Sequence, residues 1–177
     1  MKEEWSYHIS WYRLDRQDGY LLWKTDDTTD AICADADGRL PSFRSIPQLV
    51  TFAKGLDVDL EGYEPKVQNL DWAKNWLKDP SAFIDCEECL TAWNFFLDAA
   101  EGTNRHFAGQ LGETRKAWRG KIYDKLFFGT STGMLLAPAG TPSYRPRWNK
   151  DERKFIAKVL TQGMQIFRRY VYWVEEA

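Results

Sequence analysis

Cys86-Glu-Glu-Cys89 has the most recognisable chemical spacing in this chain, that of a metal knuckle or a thioredoxin-type redox couple. A four-ligand zinc site would have to draw on all the soft ligands available: Cys33 is the only other cysteine, and His8 and His106 are the only histidines. A redox couple opens a helix just after a strand, whereas both thiols here fall on the apolar side of a helix, where they pack as small hydrophobes. Neither histidine stands at an informative spacing from a Ser, Cys or Asp, so each is open to an acid–base role or a structural one. Acidic pairs recur at Asp35/Asp37, Glu87/Glu88 and Asp98/Glu101. Asp35-Ala-Asp-Gly38 starts like a calcium loop, but no Glu or Asp closes the pattern, and a turn is the simpler account. Gly129-Thr-Ser-Thr-Gly133 shares the glycines of a phosphate loop without its Lys-Ser or Lys-Thr, and no helix is expected to begin there. Arg115, Lys116, Arg119, Lys121 and Lys125, near Trp118 and Tyr123, could touch RNA or form a solvated helix face. No residue set calls for a cofactor or a metal.

The elements that must position these groups fall into two blocks. Residues 5–14 alternate as a strand, with Trp5, Tyr7, Ile9 and Trp11 on one side and His8, Ser10 and Tyr12 on the other. Asp18-Gly19 suits a hairpin turn into a second strand at 20–25. Polar turns at 26–30 and 35–38 separate further short strands at 31–34 and 39–43, an antiparallel meander of three or four strands. Helical signals follow. Ser45 caps a helix ending near Gly55, Asn69 or Asp71 caps one running to Leu77, and Pro80 stops it. Residues 57–68 form an acidic connector with room for a brief strand. Two helices then hold most of the packing information. In the first, Cys86, Cys89, Leu90, Trp93, Phe96, Leu97 and Ala100 share one side, leaving Glu87, Glu88, Thr91, Asn94, Asp98 and Glu101 on the other. The second, at 114–128, buries Trp118, Ile122 and Leu126. The proline- and glycine-rich stretch 129–148 is an ordered loop, and Asn149-Lys-Asp-Glu152 opens a last helix apolar on one face through Val174. The expected fold is α+β in one domain: a strand-rich part at 1–44 and a helical part of four to five helices at 45–177.

With 44% hydrophobic, 28% charged and 15% aromatic residues in 177, the composition is globular and excludes a disordered or fibrous chain. Its net charge of −2 conceals a marked segregation. Residues 57–101 carry 3 basic and 11 acidic side chains, whereas residues 102–177 carry 14 and 6. Either the two parts attract each other across the fold, or the acidic part is a docking surface for a basic partner. Three cysteines, a polar N-terminus and no apolar run of membrane-spanning length lead to the expectation of a cytoplasmic protein.

Five stretches carry a family likeness: Phe43-Arg-Ser-Ile-Pro-Gln-Leu49, Leu70-Asp-Trp-Ala-Lys-Asn-Trp-Leu77, Asp85-Cys86 with Cys89-Leu-Thr-Ala-Trp-Asn-Phe-Phe96, Ile122-Tyr-Asp-Lys-Leu-Phe-Phe-Gly129 and Tyr144-Arg-Pro-Arg-Trp148. Together they resemble bacterial immunity proteins of contact-dependent growth inhibition and related polymorphic toxin systems. The resemblance implies a cytoplasmic protein that binds a cognate toxin domain, often a nuclease, and blocks it sterically. The expected contact groups are the carboxylates Asp57, Asp59, Glu61, Glu64, Glu87, Glu88, Asp98 and Glu101, meeting cations that such a toxin uses to hold phosphates. Neither direct nucleic-acid contact nor membrane contact is expected. Two other classes stay open: a small hydrolase or transferase using His106 or the Cys86/Cys89 pair, and an RNA-binding module on the basic helix.

Overall fold

The first hairpin fixes the frame. In the computed structural model, which describes residues 4–62, 64–111 and 118–176, strands β1 (Ser6–Leu14) and β2 (Gln17–Thr25) pair antiparallel with Leu14 opposite Gln17. The turn is therefore Asp15-Arg16, not the expected Asp18-Gly19. Both turn residues are left-handed, at φ 54° and 61°, a conformation that costs a residue with a side chain about 1–2 kcal/mol. The Asp71 carboxylate offsets this by accepting from the Asp15 and Arg16 amides at 2.7 and 2.9 Å. Asp15 in turn accepts from Lys74 at 2.6 Å and Arg168 at 2.7 Å, so helices far along the chain hold the turn. Gly19 lies inside β2, where a Cβ would come within 2.3 Å of the Tyr12 ring.

β3 (Asp30–Ile32) pairs antiparallel with β2, and β5 (Val67–Asn69) pairs parallel with β1, giving the order β3-β2-β1-β5. The strand expected at 39–43 leaves this meander. Its central part, β4 (Leu40–Ser42), pairs parallel with a C-terminal strand, β6 (Val171–Trp173), while Phe43 just after it forms an isolated antiparallel bridge to Tyr20 of β2. Pro41 supplies the reason: it has no N–H to give, which keeps β4 out of a central ladder.

Each face of the sheet meets a different layer, as the alternation in β1 requires. Tyr7, Ile9, Tyr20 and Leu22 pack with Leu49 and Phe52 of α1 (Ile46–Gly55), whose N-cap is Ser45 as expected. Tyr12, Leu14, Leu21 and Trp23 face the main core, built on α3 (Cys86–Gly102) with Asp85 as its N-cap. Around α3 pack α2 (Leu70–Trp76), α4 (Trp118–Phe128) and α6 (Lys150–Tyr170). The start of α4 expected near residue 114 lies outside the described residues. Gly163 lets α6 approach α3 closely, since a Cβ there would lie 2.4 Å from the Phe96 ring. The Asn149–Glu152 capping box opens α6 as its spacing predicts. The helix ends at Tyr170, short of the expected Val174, because the chain turns into β6.

Two further departures bear on function. A sixth helix, α5 (Ser131–Leu135), stands inside the 129–148 stretch, with Thr130 as its N-cap, where loop alone was expected. In addition, α3 is wrapped on more than its expected side. Ala92, Phe95 and Ala99 are buried with the expected apolar set, and Thr91, Asn94 and Asp98 are only partly exposed. The sheet covers that side through the Tyr12–Phe95 ring contact, and α4 covers it through Tyr123, whose hydroxyl donates to Asn94 at 2.8 Å.

Candidate functional site

The eight carboxylates expected to form one contact surface are divided by the fold among three places. Asp57, Asp59, Glu61 and Glu64 are exposed along the chain that runs beside β1, where Leu60 bridges Tyr7 and the Glu61 amide donates to the Tyr7 carbonyl at 2.8 Å. None of the four forms an ion pair among the described residues. Asp57 is itself left-handed, at φ 57° just past α1, which turns the chain toward the sheet edge. Glu87 and Glu101 stand at opposite ends of α3, about 21 Å apart at the helical rise. Glu87 is exposed and accepts from the Ser131 amide at 2.7 Å, so it helps start α5. Glu88 is half-buried, and desolvation, followed by the charges of Asp85 and Glu87, raises its pKa.

Asp98 is a correction. Instead of lining an outer face, it sits under the sheet and accepts from the Trp23 indole N–H at 2.9 Å. Burial, with smaller contributions from Asp30 and Glu101, pushes its pKa up to about 7 against the Trp23 hydrogen bond that opposes it. The helical period placed it among polar neighbours, and only the position of β2 reveals it as an inward group.

The cysteine pair is also placed plainly. Cys86 and Cys89 are buried free thiols in the main core, while Cys33 packs in the smaller cluster with α1. Desolvation, then the charges of Asp85 and Glu87, pushes Cys86 up to about 11, and burial raises Cys89 as well. Thiols so raised stay protonated at neutral pH and are poor nucleophiles. Among the described residues no three His, Cys, Asp or Glu side chains gather where a metal ion could be held. His106 is exposed beside a shallow hollow of about 330 Å³ lined by Gln162, Gln165, Arg169 and Tyr170, with no carboxylate in its lining. His8 packs its ring on Trp23, centroids 5.3 Å apart. Asp35 accepts from the Asp37 and Arg39 amides, each at 2.9 Å, which makes the expected turn. Of the basic helix residues, Lys125 is taken up inside the fold by Glu152 at 2.9 Å and by the Arg147 carbonyl. Arg115 and Lys116 lie outside the described residues.

Sequence reasoning missed a large cleft. A cleft of about 880 Å³ runs between the N-terminal end of α3, the turn before α5 and residues 143–148, and it shares Met134, Ser143 and Tyr144 with an adjoining apolar hollow of about 610 Å³. A Cβ on Gly129 would come within 2.5 Å of Cys86 Sγ and 3.1 Å of Pro146, so the packing thiol sets the depth of the cleft floor. The signal available in the sequence was the apolar Met134-Leu-Leu136 run, which the loop reading assigned to burial. In the fold Leu135 and Leu136 are 83% and 70% exposed.

Comparison with known proteins adds one finding. No family model and no curated protein matches the chain. Among solved structures, it is similar to one described as "The crystal structure of SatS c-terminal domain in complex with bromine", with 11% identity and a TM-score of 0.53 over 96% of this chain and 94% of that one. At that identity the likeness concerns the fold alone. Among the described residues, no helix is long and apolar enough to cross a membrane.

Proposed function

We propose that this chain acts by holding another polypeptide, and that its partner is a cognate toxin domain which it neutralises in the cytoplasm, as the resemblance to immunity proteins implies. The observation that carries this reading is the set of exposed carboxylates at Asp57, Asp59, Glu61 and Glu64, none engaged in an ion pair among the described residues. Had the acidic and basic parts of the chain been arranged to neutralise each other, ion pairs would join residues 57–101 to residues 102–177. Among the described residues the four ion pairs are Arg13–Asp18, Lys74–Asp15, Lys125–Glu152 and Arg168–Asp15, and none joins an acid of the first part to a base of the second. A one-signed edge left unpaired favours a cationic partner, raises its association rate and disfavours acidic competitors. A nuclease that grips phosphates has such a surface, and occlusion of that surface needs no reacting group on this chain.

The contact set is narrower than the sequence implied. Asp98 is withdrawn beneath Trp23, Glu87 serves α5, Glu88 is half-buried and Glu101 stands apart at the far end of α3, so Asp57, Asp59, Glu61 and Glu64 are taken as the principal surface. The test is protection in cells: the full chain is co-expressed with the toxin domain encoded beside it, and survival is compared with that given by Asp59→Lys/Glu61→Lys/Glu64→Lys. Protection by the parent and its loss in a variant that still folds support the reading. Equal survival with both overturns this surface, and death with both overturns the immunity role.

A further inference from the structure

Three large apolar side chains are exposed here: Phe83, at 83%, lines the cleft between α3 and residues 143–148, and Phe128 and Leu136, at 51% and 70%, line the apolar hollow that adjoins it. The two hollows share Met134 and Tyr144, and exposed apolar surface in such a concavity marks a contact site when polar groups rim it. The rim here is cationic. Arg145 and Arg147 line the cleft, and neither forms an ion pair among the described residues. Arg153 donates to the Pro80 and Ala82 carbonyls at 3.0 and 2.7 Å, which anchors the segment that presents Phe83. The two carboxylates of the cleft are already occupied by backbone donors: Asp85 accepts from Glu88 at 3.1 Å and Glu87 from Ser131 at 2.7 Å. The cleft therefore offers spare positive charge and apolar surface together, with its negative charge engaged. Lys125 holds its far wall by bonding Glu152 and the Arg147 carbonyl while lying 4.6 Å from the Trp148 ring centroid.

We infer that this groove binds a polypeptide segment that is both apolar and acidic, with large side chains seated against Phe83, Met134, Leu136 and Tyr144 and carboxylates paired with Arg145 and Arg147. The site is separate from the acidic edge at 57–64 and has the opposite charge preference, so it stands or falls independently of the immunity reading. A polypeptide fits better than an anionic membrane because the apolar surface lines a concavity, which a peptide's side chains can enter and a flat bilayer surface does not follow.

The test uses the full chain and a random twelve-residue peptide library. Selected peptides should combine Asp or Glu with Leu, Phe or Trp. Their amide-shift perturbations in labelled protein should fall on residues 83–87 and 128–148. Arg145→Glu/Arg147→Glu should weaken them at least tenfold, and Phe83→Ser/Leu136→Ser should do the same; all four residues are exposed, so an unchanged circular dichroism spectrum and melting temperature certify the fold. Recovery of no peptide, recovery of basic peptides, or indifference to both double variants overturns the proposal. Groove-dependent sedimentation with phosphatidylcholine–phosphatidylglycerol vesicles, without peptide selection, overturns it in favour of a membrane.

Discussion

Carboxylates of the same intrinsic chemistry do opposite work at the hairpin turn and along the sheet edge. At the turn, Asp71 and Asp15 are fully employed: one accepts two left-handed amides, and the other is held well below the usual carboxylate range by hydrogen bonds from Arg168 and Lys74. Beneath the sheet, Asp98 is employed at a cost, kept close to neutral by burial. At the edge, Asp57, Asp59, Glu61 and Glu64 are exposed, and among the described residues none is ion-paired. Charge count alone cannot separate these cases; what separates them is whether the fold supplies a donor.

Removing individual carboxylates should make that contrast measurable. The largest effect is expected at Asp98. A folded pKa of about 7 against an ordinary 3.8 means the folded chain binds the extra proton. Asp98's contribution to stability is therefore full below about pH 4 and is lost as pH rises through about 7, by at most roughly 4 kcal/mol. Asp98→Asn keeps an acceptor for Trp23 and removes the charge. Urea titrations should find it more stable than the parent at pH 8, with the advantage gone at pH 4.

Asp71→Ala comes next. Loss of the acceptor for two turn amides should cost about 1–2 kcal/mol by urea denaturation, less than a buried loss because water can reach these groups. Arg16→Gly should act in the other direction, stabilising by about 1 kcal/mol, since glycine adopts φ 61° without the steric penalty. The smallest effect is expected at the edge. Asp59→Asn, Glu61→Gln and Glu64→Gln should each change stability by no more than about 0.5 kcal/mol in thermal melts. A larger loss would show that these groups serve the fold after all.

The α+β class, the alternation in β1, and the caps at Ser45 and Asn149 were legible because each rests on local spacing. The turn at Asp15-Arg16 was not, because its acceptor, Asp71, arrives from another helix. β6 was hidden because Val171-Tyr-Trp173 continues the apolar period of α6 up to the residue where pairing with β4 takes over. For the site, the exposure of Asp57, Asp59, Glu61 and Glu64 followed from composition, whereas the withdrawal of Asp98 depended on where β2 passes over α3. The groove was misassigned for a related reason: apolar residues in a loop suggest burial, yet α5 turns Leu135 and Leu136 outward.

Calorimetric titration of the proposed partner, a toxin domain encoded beside this chain, into the parent and into Asp57→Asn/Asp59→Asn/Glu61→Gln/Glu64→Gln, at low and high salt, tests the central claim most directly. The account predicts at least tenfold weaker binding of the variant at low salt, and an affinity that responds far less to added salt than the parent's does. The same affinity and the same salt response in both proteins would contradict it.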